Sequence, residues 1–525
     1  MKTKIYRLII TFFIGLINFY LFLPPININA PTFWLFIFFI VIVYYATSIL
    51  SIKELPNIIM KKFNKQNKKN YLFLIIPATI LIIFMINLFN SPLFMANSYH
   101  NRININENGN FSEDIKEVDF NSLPLLDKDS SQKLGDRVMG QMPELVSQFT
   151  VSDLYTQINY NNDIIRVTPL EYADFIKWLS NRKSGVKGYI TVNSVDGKSE
   201  LVKLDKGMKY MPSAYFNENI YRYLRFKYPT VIFGSANFEI DNDGNPYWII
   251  PTLKYEAIGL KEDVSGIIIL NPITGESKKY KNEEIPTWVD HVYSADLIIE
   301  QVNDWGKYIN GYFNSIFSQK NVVMTTEGYN YLALNDDIYL YTGITSIVKD
   351  ESNIGFILTN LRTKETIFYK VPGAEEYSAM ASALGQVQQM SYTSSFPLLI
   401  NLNNRPTYLM SLKDNAGLVK MYAFVDVADY QKVTVTDASE GIKASALNYL
   451  NKYDSDNLIE EEITIDEISN VLIDGNTYYY IKANNQKYRV SIKVNETILP
   501  FVKNNDKLTI KYKDGDIKEI IKIGE

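Results

Sequence analysis

The sequence contains no cysteine and only two histidines, His100 and His291, among its 525 residues. Without cysteine the chain has neither disulfide bonds nor thiolate ligands for a metal ion. With so few histidines, a zinc site and a Ser-His-Asp triad are both disfavoured. We predict that His100 and His291 are partly exposed surface residues, with His291 next to Asp290 on a helix.

Positive charge is scarce beyond residue 100. Residues 1–100 contain nine Lys and Arg against one acidic residue, a net charge of +8, whereas residues 101–525 contain 44 basic and 57 acidic residues, a net charge of −13. An acidic surface repels polyanions, so nucleic acid is a poor candidate partner. About 425 residues without disulfides are enough to bury the cores of two to four domains.

Three long apolar runs occupy the N-terminal part of the chain, at about 5–24, 31–51 and 71–94. Each is about long enough to cross a bilayer, which takes roughly 20 helical residues. The first run resembles a signal peptide, but no small-x-small cleavage site follows it and Pro31 directly after Ala30 would obstruct cleavage. We therefore predict three retained transmembrane helices; the alternative is that one run is a buried core helix.

The charges that flank these runs predict their orientation. Residues 53–69 include six lysines and one glutamate, whereas the connector ININA after the first run has no charge. The positive-inside bias places the lysine segment and the N-terminus in the cytoplasm. The chain is thus predicted to be a multi-pass protein of the cell membrane whose residues after about 95 are extracellular.

One stretch is repeated three times without gaps, as GYITVNSVDGKSELVK (188–203), SGIIILNPITGESKKYK (265–281) and IGFILTNLRTKETIFYK (354–370). All three copies keep a glycine, an isoleucine and an asparagine in register: Gly188, Ile190 and Asn193; Gly266, Ile268 and Asn271; Gly355, Ile357 and Asn360. An apolar run, an Asn-led turn and a second run are typical of a β-hairpin. We expect Gly197 and Gly275 to adopt positive φ in the turns.

Helical patterns alternate with these hairpins. A fourth, less regular copy runs through MYAFVDVADYQKVTV (421–435), and helices are predicted at 168–182, 211–228, 285–317, 373–390 and 437–453. The predicted helix 285–317 has an apolar stripe at helical spacing. A helix that covers one face of a small antiparallel sheet is the α+β arrangement.

The second copy and the residues before it, GNPYWIIP and GIIILNPITGESKKY, resemble the extracytoplasmic PepSY-type module, although Asn271 stands where an Asp is more usual. The whole chain is similar to large membrane-anchored proteins of low-GC Gram-positive bacteria. The resemblance implies PepSY/cystatin-like helix-plus-sheet modules that bind or inhibit peptidases or other cell-envelope partners. It implies no catalytic residues.

The C-terminal part, from about residue 461, is predicted to be almost entirely strands and turns. Asp474-Gly475, Asn484-Asn485 and Asp514-Gly515 are hairpin-turn sequences. Five short strands at this spacing predict a small closed β-barrel with an OB-like fold.

The expected organisation is therefore α+β with five parts. They are a three-helix transmembrane anchor (1–94), a juxtamembrane segment (95–150), modules 1 and 2 (151–283), modules 3 and 4 (284–453) and an OB-like barrel (461–525).

Motifs for catalysis and metal binding are incomplete. The chain has Ser346 three residues before Lys349, and Ser455-Asp456-Asn457, but Lys183-Ser184-Gly185 precedes both, whereas a Ser-Lys acyl enzyme needs it to follow. Residues 239–244, with Glu239, Asp241 and Asp243, are spaced like half of a calcium loop, yet Ile250 occupies the position of the bidentate glutamate. We interpret them as a tight turn and predict no catalytic, cofactor or metal residues; weak calcium binding is the alternative.

These observations favour a non-catalytic scaffold or regulatory binding protein at the cell envelope, with a peptide, a wall polymer or another membrane protein as its partner. Two alternative functions remain. One is a cell-envelope hydrolase that uses paired carboxylates. The other is a protein that binds single-stranded DNA or another polymer through Lys487, Arg489, Lys493, Lys507 and Lys511 of the barrel region.

Overall fold

The computed structural model describes residues 2–49, 71–120, 123–334, 336–347, 352–453, 459–473, 476–513 and 515–524. The chain forms two compact units. The first unit consists of Met1–Val419 and Val425–Tyr430, and the second of Lys420–Phe424 and Gln431–Glu525.

The first unit begins with four helices, α1 (Lys2–Phe22), α2 (Pro31–Ile49), α3 (Tyr71–Phe89) and α4 (Pro92–His100). Within α1, Ile5–Phe22 is by itself long and apolar enough to cross a membrane. The apolar stretch of α2 is shorter, and α3 reaches the required length only together with α4, across a bend of 51°. Of the three predicted spans, one is therefore supported as a single helix. The lysine segment 53–69 lies outside the described residues.

Four modules follow strand β1 (Ile105–Gly109) and helix α5 (Phe111–Asp114), and each has a helix ahead of its strands. Module 1 contains α6 (Lys128–Gly140), α7 (Pro143–Val146), β2 (Phe149–Val151), β3 (Thr156–Tyr160), β4 (Asp163–Tyr172), α8 (Phe175–Asn181), β5 (Val186–Asn193) and β6 (Ser199–Met208). Module 2 contains α9 (Ile220–Lys227), β7 (Ile232–Phe233), β8 (Asn237–Ile240), β9 (Pro246–Lys254), β10 (Asp263–Leu270) and β11 (Ser277–Tyr280).

The second half of the chain continues the same order. Module 3 contains α10 (Ala295–Lys307), α11 (Gly311–Ile316), β12 (Val323–Thr325), β13 (Asn330–Leu334), β14 (Asp337–Ser346), β15 (Ser352–Asn360) and β16 (Thr366–Tyr369), and β17 (Gly373–Ala374) follows it. Module 4 contains α12 (Glu376–Gly385), β18 (Thr393–Ser394), β19 (Leu398–Leu402), β20 (Arg405–Lys413), β21 (Val419–Asp426), β22 (Val433–Asp437) and α13 (Ile442–Tyr453). Strand β21 contributes residues to both units.

The four modules share one pattern of strand pairing. In each, the long third strand pairs antiparallel with both shorter strands that precede it: β4 with β2 and β3, β9 with β7 and β8, β14 with β12 and β13, and β20 with β18 and β19. In modules 1 to 3 the fourth strand follows on the other edge and then the fifth. The chain is thus a mixed α+β protein with several small antiparallel sheets.

The repeated asparagines build the same turn three times. The side-chain oxygen of Asn271 accepts hydrogen bonds from the backbone N–H groups of Ile273 (2.9 Å) and Thr274 (3.1 Å). Asn193 and Asn360 make the corresponding pairs of bonds. As predicted, Gly197 and Gly275 have positive φ, 75° and 77°.

The repeated glycines have a different role, at a close approach of two strands. A Cβ atom on Gly355 would lie 2.1 Å from the carbonyl oxygen of Tyr369, and one on Gly266 would lie 2.1 Å from that of Tyr280. The register of the preceding strand pair shifts at both glycines. A side chain at either position would push the neighbouring strand away.

The sheet of module 2 is buried on both faces. Trp248, Ile250 and Ile268 pack into a core shared with module 1, whereas Ile249 and Ile267 pack into a core shared with module 3. Neighbouring residues of a strand point to opposite faces, so two-sided burial requires the uninterrupted apolar runs YWII and GIIIL.

Two of the predicted helices are partly wrong. Within 168–182, residues up to Tyr172 belong to β4, and only α8 is helical. The backbone of 168–172 forms its hydrogen bonds with strands β2 and β5 instead of within a helix. In 285–317, residues before Ser294 are not helical. Their N–H groups bond to tertiary partners: those of Val292 and Tyr293 donate to the carbonyl oxygen of Leu361. The helices expected at 211–228, 373–390 and 437–453 are present but shorter, as α9, α12 and α13.

The connector between α1 and α2 lies against module 2. The N–H of Ile26 donates to the carbonyl oxygen of Pro229 (2.8 Å), and the N–H of Gly259 donates to that of Asn29 (3.0 Å). The Arg225 Nε donates to the carbonyl oxygen of Leu23 (2.9 Å). These bonds place the C-terminal end of α1 and the N-terminal end of α2 next to module 2.

The second unit contains a closed five-stranded barrel. Its strands are β23 (Ile459–Ile473), β24 (Asn476–Ala483), β25 (Gln486–Ser491), β26 (Lys507–Lys513) and β27 (Asp516–Gly524). They close in the order β23-β24-β25-β27-β26, with β25 and β27 parallel. The predicted Asn484-Asn485 turn has positive φ at both residues, 51° and 63°. Gly515 likewise has positive φ, whereas Asp474, Gly475 and Asp514 lie outside the described residues.

We expect Gly355→Ala to destabilise the first unit by roughly 1–3 kcal/mol, because the new methyl group overlaps the Tyr369 carbonyl oxygen. Gly140→Ala is the control, since a Cβ at the end of α6 meets nothing within 4 Å. Thermal unfolding of the detergent-solubilised chain measures both. Equal unfolding temperatures for the two variants would contradict the close approach.

Candidate functional site

Two adjoining cavities lie among modules 1, 2 and 3 of the first unit, and Phe396 of module 4 adds to the wall of one of them. The arginine cavity, of about 440 Å³, has a wall that includes Tyr155, Gln157, Arg166 and Phe396. The adjoining cavity, of about 660 Å³, has a wall that includes Tyr221, Phe233, Pro251, Val264 and Tyr293. Both cavities are lined by Asn237, His291, Tyr329 and Tyr331.

Arg166 is a buried cation on the wall of the arginine cavity. It lies in the middle of β4, opposite Gln157 of β3, and is only 6% exposed. One terminal nitrogen donates to the Gln157 side-chain oxygen at 2.7 Å, but Nε has no hydrogen-bond partner. No described residue forms an ion pair with Arg166. Burial lowers the pKa of Arg166 to about 10, so the guanidinium is still charged at neutral pH.

Gln157, the hydrogen-bond partner of Arg166 in module 1, also contacts His291, which precedes α10 of module 3. The Nε2 of His291 lies 2.7 Å from the Gln157 carbonyl oxygen. A carbonyl oxygen only accepts, so Nε2 carries the proton. Burial, together with the charge of Arg166, lowers the pKa of His291 to about 4, and the ring is neutral at physiological pH. The amide nitrogen of Gln157 has no partner. His291 is therefore a buried, non-helical residue, and its predicted place on a surface helix is wrong.

Two buried carboxyl groups position His291. Glu239 is fully buried, and its two oxygens accept the backbone N–H groups of Asp290 (2.9 Å) and His291 (3.0 Å). Asp290 in turn accepts the N–H of Asn159 at 2.8 Å. Burial raises the pKa of Glu239 to about 8, and burial and the nearby Glu239 raise that of Asp290. Neither carboxyl group lines either cavity, so their role is to join modules 1, 2 and 3.

The calcium-like sequence forms a turn. Asp241 accepts hydrogen bonds from the N–H groups of Asp243 (3.0 Å) and Asn245 (2.8 Å), while Glu239 points into the interior. Within the part of the chain that the structure describes, no group of three or more His, Cys, Asp or Glu residues has a metal-binding arrangement. Ser346 ends strand β14 instead of starting a helix, and Lys349 and Ser455-Asp456-Asn457 lie outside the described residues.

The rest of the arginine cavity is aromatic and polar. Burial raises the pKa of Tyr155 and of Tyr331, so both phenols are neutral. Asp127 forms an ion pair with Lys413 and accepts the N–H of Ser130 at 2.9 Å. Although burial opposes ionisation, these bonds lower the pKa of Asp127 below its usual value. The carboxylate of Asp127 is thus already paired with a cation, and Asp129 is exposed.

Sequence reasoning named His291, Asp290 and Glu239 but assigned none of them to a site, and it missed Arg166 and Gln157. The available signal was an arginine inside the apolar strand sequence IIRVTPL (164–170), since an arginine is rarely buried in a strand without a partner. The site combines a buried cation, a buried amide donor without a partner and aromatic walls. This chemistry is suited to binding an anionic group.

No protein family model matches the sequence, and no curated protein matches it. Among solved structures, a crystal structure of an ACO/RPE65 chimera matches with 8% identity and a TM-score of 0.14. The match covers 70% of this chain and 60% of the length of the chimera. A score this low carries no inference about fold or function.

We expect the free energy of unfolding to fall as pH rises from 6.5 to 8. The folded state keeps protons on Glu239 and Asp290 that the unfolded chain has already released, so it binds more protons in this range. Asp290→Asn, which still accepts from Asn159, should flatten the slope by up to about 1.4 kcal/mol per pH unit.

Chemical unfolding at several pH values measures this slope. The exposed acid Asp243 of the same segment provides the control, because Asp243→Asn should leave the slope unchanged. An unaltered slope in Asp290→Asn would show that the buried pair does not hold extra protons.

Proposed function

We propose that the chain is a membrane-anchored, extracytoplasmic scaffold or regulatory binding protein that holds its ligand without chemical change. The observation that carries this proposal is Arg166, a buried cation on a cavity wall whose Nε has no partner. Buried charges in proteins are normally paired, so an open one marks a place for a ligand. A bound anion would balance the charge of the Arg166 guanidinium.

The proposed anchor has three membrane spans, α1, α2 and α3. The bonds from residues 23–29 to module 2 support an extracellular connector between α1 and α2. Helix α3 leads directly into α4 and the modules. With three crossings, the N-terminus and the lysine segment 53–69 are cytoplasmic, in agreement with the positive-inside bias.

The module and barrel architectures support the proposed family resemblances. Four modules with a helix ahead of an antiparallel sheet suit the PepSY/cystatin-like interpretation. The barrel order, in which the third and fifth strands are parallel neighbours, suits an OB-like fold. The partner would be an envelope protein, a peptide or a wall polymer.

The two alternatives have less support. The paired carboxyl groups Glu239 and Asp290 are both buried and line neither cavity, whereas a glycoside hydrolase needs carboxyl groups that flank its substrate. In the barrel, Arg489 pairs with Asp516 (2.9 Å) and Lys511 pairs with Glu519 (3.0 Å). Paired bases are a poor groove for a nucleic acid backbone.

Because the chain has no cysteine, single introduced cysteines report the membrane topology. We expect an impermeant thiol reagent to label Ile28→Cys in the connector and Lys198→Cys in module 1 on intact cells. Lys65→Cys should react only after the membrane is opened. Labelling of Lys65→Cys on intact cells would contradict the three-span anchor.

The binding function is tested by incubating the full detergent-solubilised chain with peptides and with purified wall fragments, followed by mass spectrometry of what is retained. A scaffold should retain ligands of unchanged mass. Shortened peptides or fragments would contradict the proposal and favour the hydrolase.

A further inference from the structure

We infer that the arginine cavity receives a carboxylate, and specifically the C-terminal carboxylate of a peptide. This inference rests on the proposed binding function and names the chemistry of its ligand.

Two residues on the wall of the arginine cavity have buried hydrogen-bond donors without partners. The Arg166 Nε and the Gln157 Nε2 are buried donors without partners, and both residues line the arginine cavity. An unsatisfied buried donor costs about 1–3 kcal/mol. The planar guanidinium matches the two oxygens of a carboxylate, and hydrogen bonds to an ionised acceptor are stronger than neutral ones.

The charges around the arginine cavity suit a ligand with a single negative charge. Arg166 is the cation deepest in the cavity, while His291 is neutral and Lys128 and Asp129 are exposed. The negative charge of Asp127 is balanced by Lys413. One uncompensated positive charge suits a monoanion better than a phosphate dianion, which would also meet Asp127 and Asp129 at the wall.

The rest of the ligand would occupy the adjoining cavity. The adjoining cavity shares His291, Asn237 and Tyr331 with the arginine cavity, and its wall includes Phe233, Pro251 and Val264. Each cavity alone has the volume of a small-molecule site, roughly 300–1,000 Å³. A carboxylate at Arg166 thus leaves room for the preceding residues of a peptide, whose side chains would contact Phe233, Pro251 and Val264, while Glu262 and Asp296 form a polar part of the same wall. A free amino acid or acetate would leave the adjoining cavity empty.

The experiment exposes the full detergent-solubilised chain to a pool of random hexapeptides with free C-termini and to the matching pool of C-terminal amides. We expect the free-acid pool to be retained at least tenfold better. Acetate should compete only at concentrations far above those of the peptides, and inorganic phosphate should not compete better than acetate.

Two arginine variants of module 1 locate the binding. Arg166→Gln should reduce retention of the free acids at least tenfold, whereas Arg182→Gln, which removes an exposed arginine paired with Glu218 (3.1 Å), should not change it. The comparison of acids with amides uses the unaltered chain, so it decides the question even if Arg166→Gln fails to fold.

The other outcomes overturn the inference in distinguishable ways. Equal retention of acids and amides, or displacement by phosphate, rules out the carboxylate but leaves the binding function. Retention of neither pool also rules out the peptide carboxylate, and indicates that water satisfies the buried donors; wall fragments then test the binding function separately. Retained peptides that are shortened would instead overturn the non-catalytic function.

Discussion

Burial of the module 2 sheet on both faces is the constraint on which the rest of the first unit depends. Strands β9 and β10 have one core on each side, and those cores belong to modules 1 and 3. Because a sheet so placed cannot face water, the two neighbouring modules must pack against it. The place where they also meet each other is where the cavities, Arg166 and His291 are found.

Burying polar groups at this junction costs free energy, and only some of these groups have all their hydrogen-bond partners. Glu239 receives two backbone N–H bonds and so fixes the segment that carries His291. Arg166 has only one bond to Gln157, and its Nε is left open. A fully satisfied buried network rigidifies a junction, whereas a partly satisfied one destabilises it unless a ligand completes it. The contrast between Glu239 and Arg166 separates the structural part of the junction from the part suited to binding.

The repeat solves the same backbone problem in three modules of the chain. Asn193, Asn271 and Asn360 each close a turn by accepting two N–H bonds, and Gly266 and Gly355 allow a close approach of two strands. None of these residues lines either of the two described cavities. The residues that differ among the modules, such as Arg166 in module 1 and His291 between modules 2 and 3, line the cavities instead. The repeat therefore explains the architecture, and the departures from it create the candidate site.

The sequence alone determined the local features, because these depend on neighbouring residues: the hairpin turns, the positive φ of Gly197 and Gly275, the apolar N-terminal helices and the C-terminal barrel strands. Only the tertiary structure decided the hydrogen-bond partners of residues 285–294 and 168–172. Their partners lie in other strands and loops, not in the preceding turn of a helix. It also decided that Arg166, Gln157 and His291 meet. Their contacts join residues up to 134 positions apart, and no local pattern records a distance across three packed sheets.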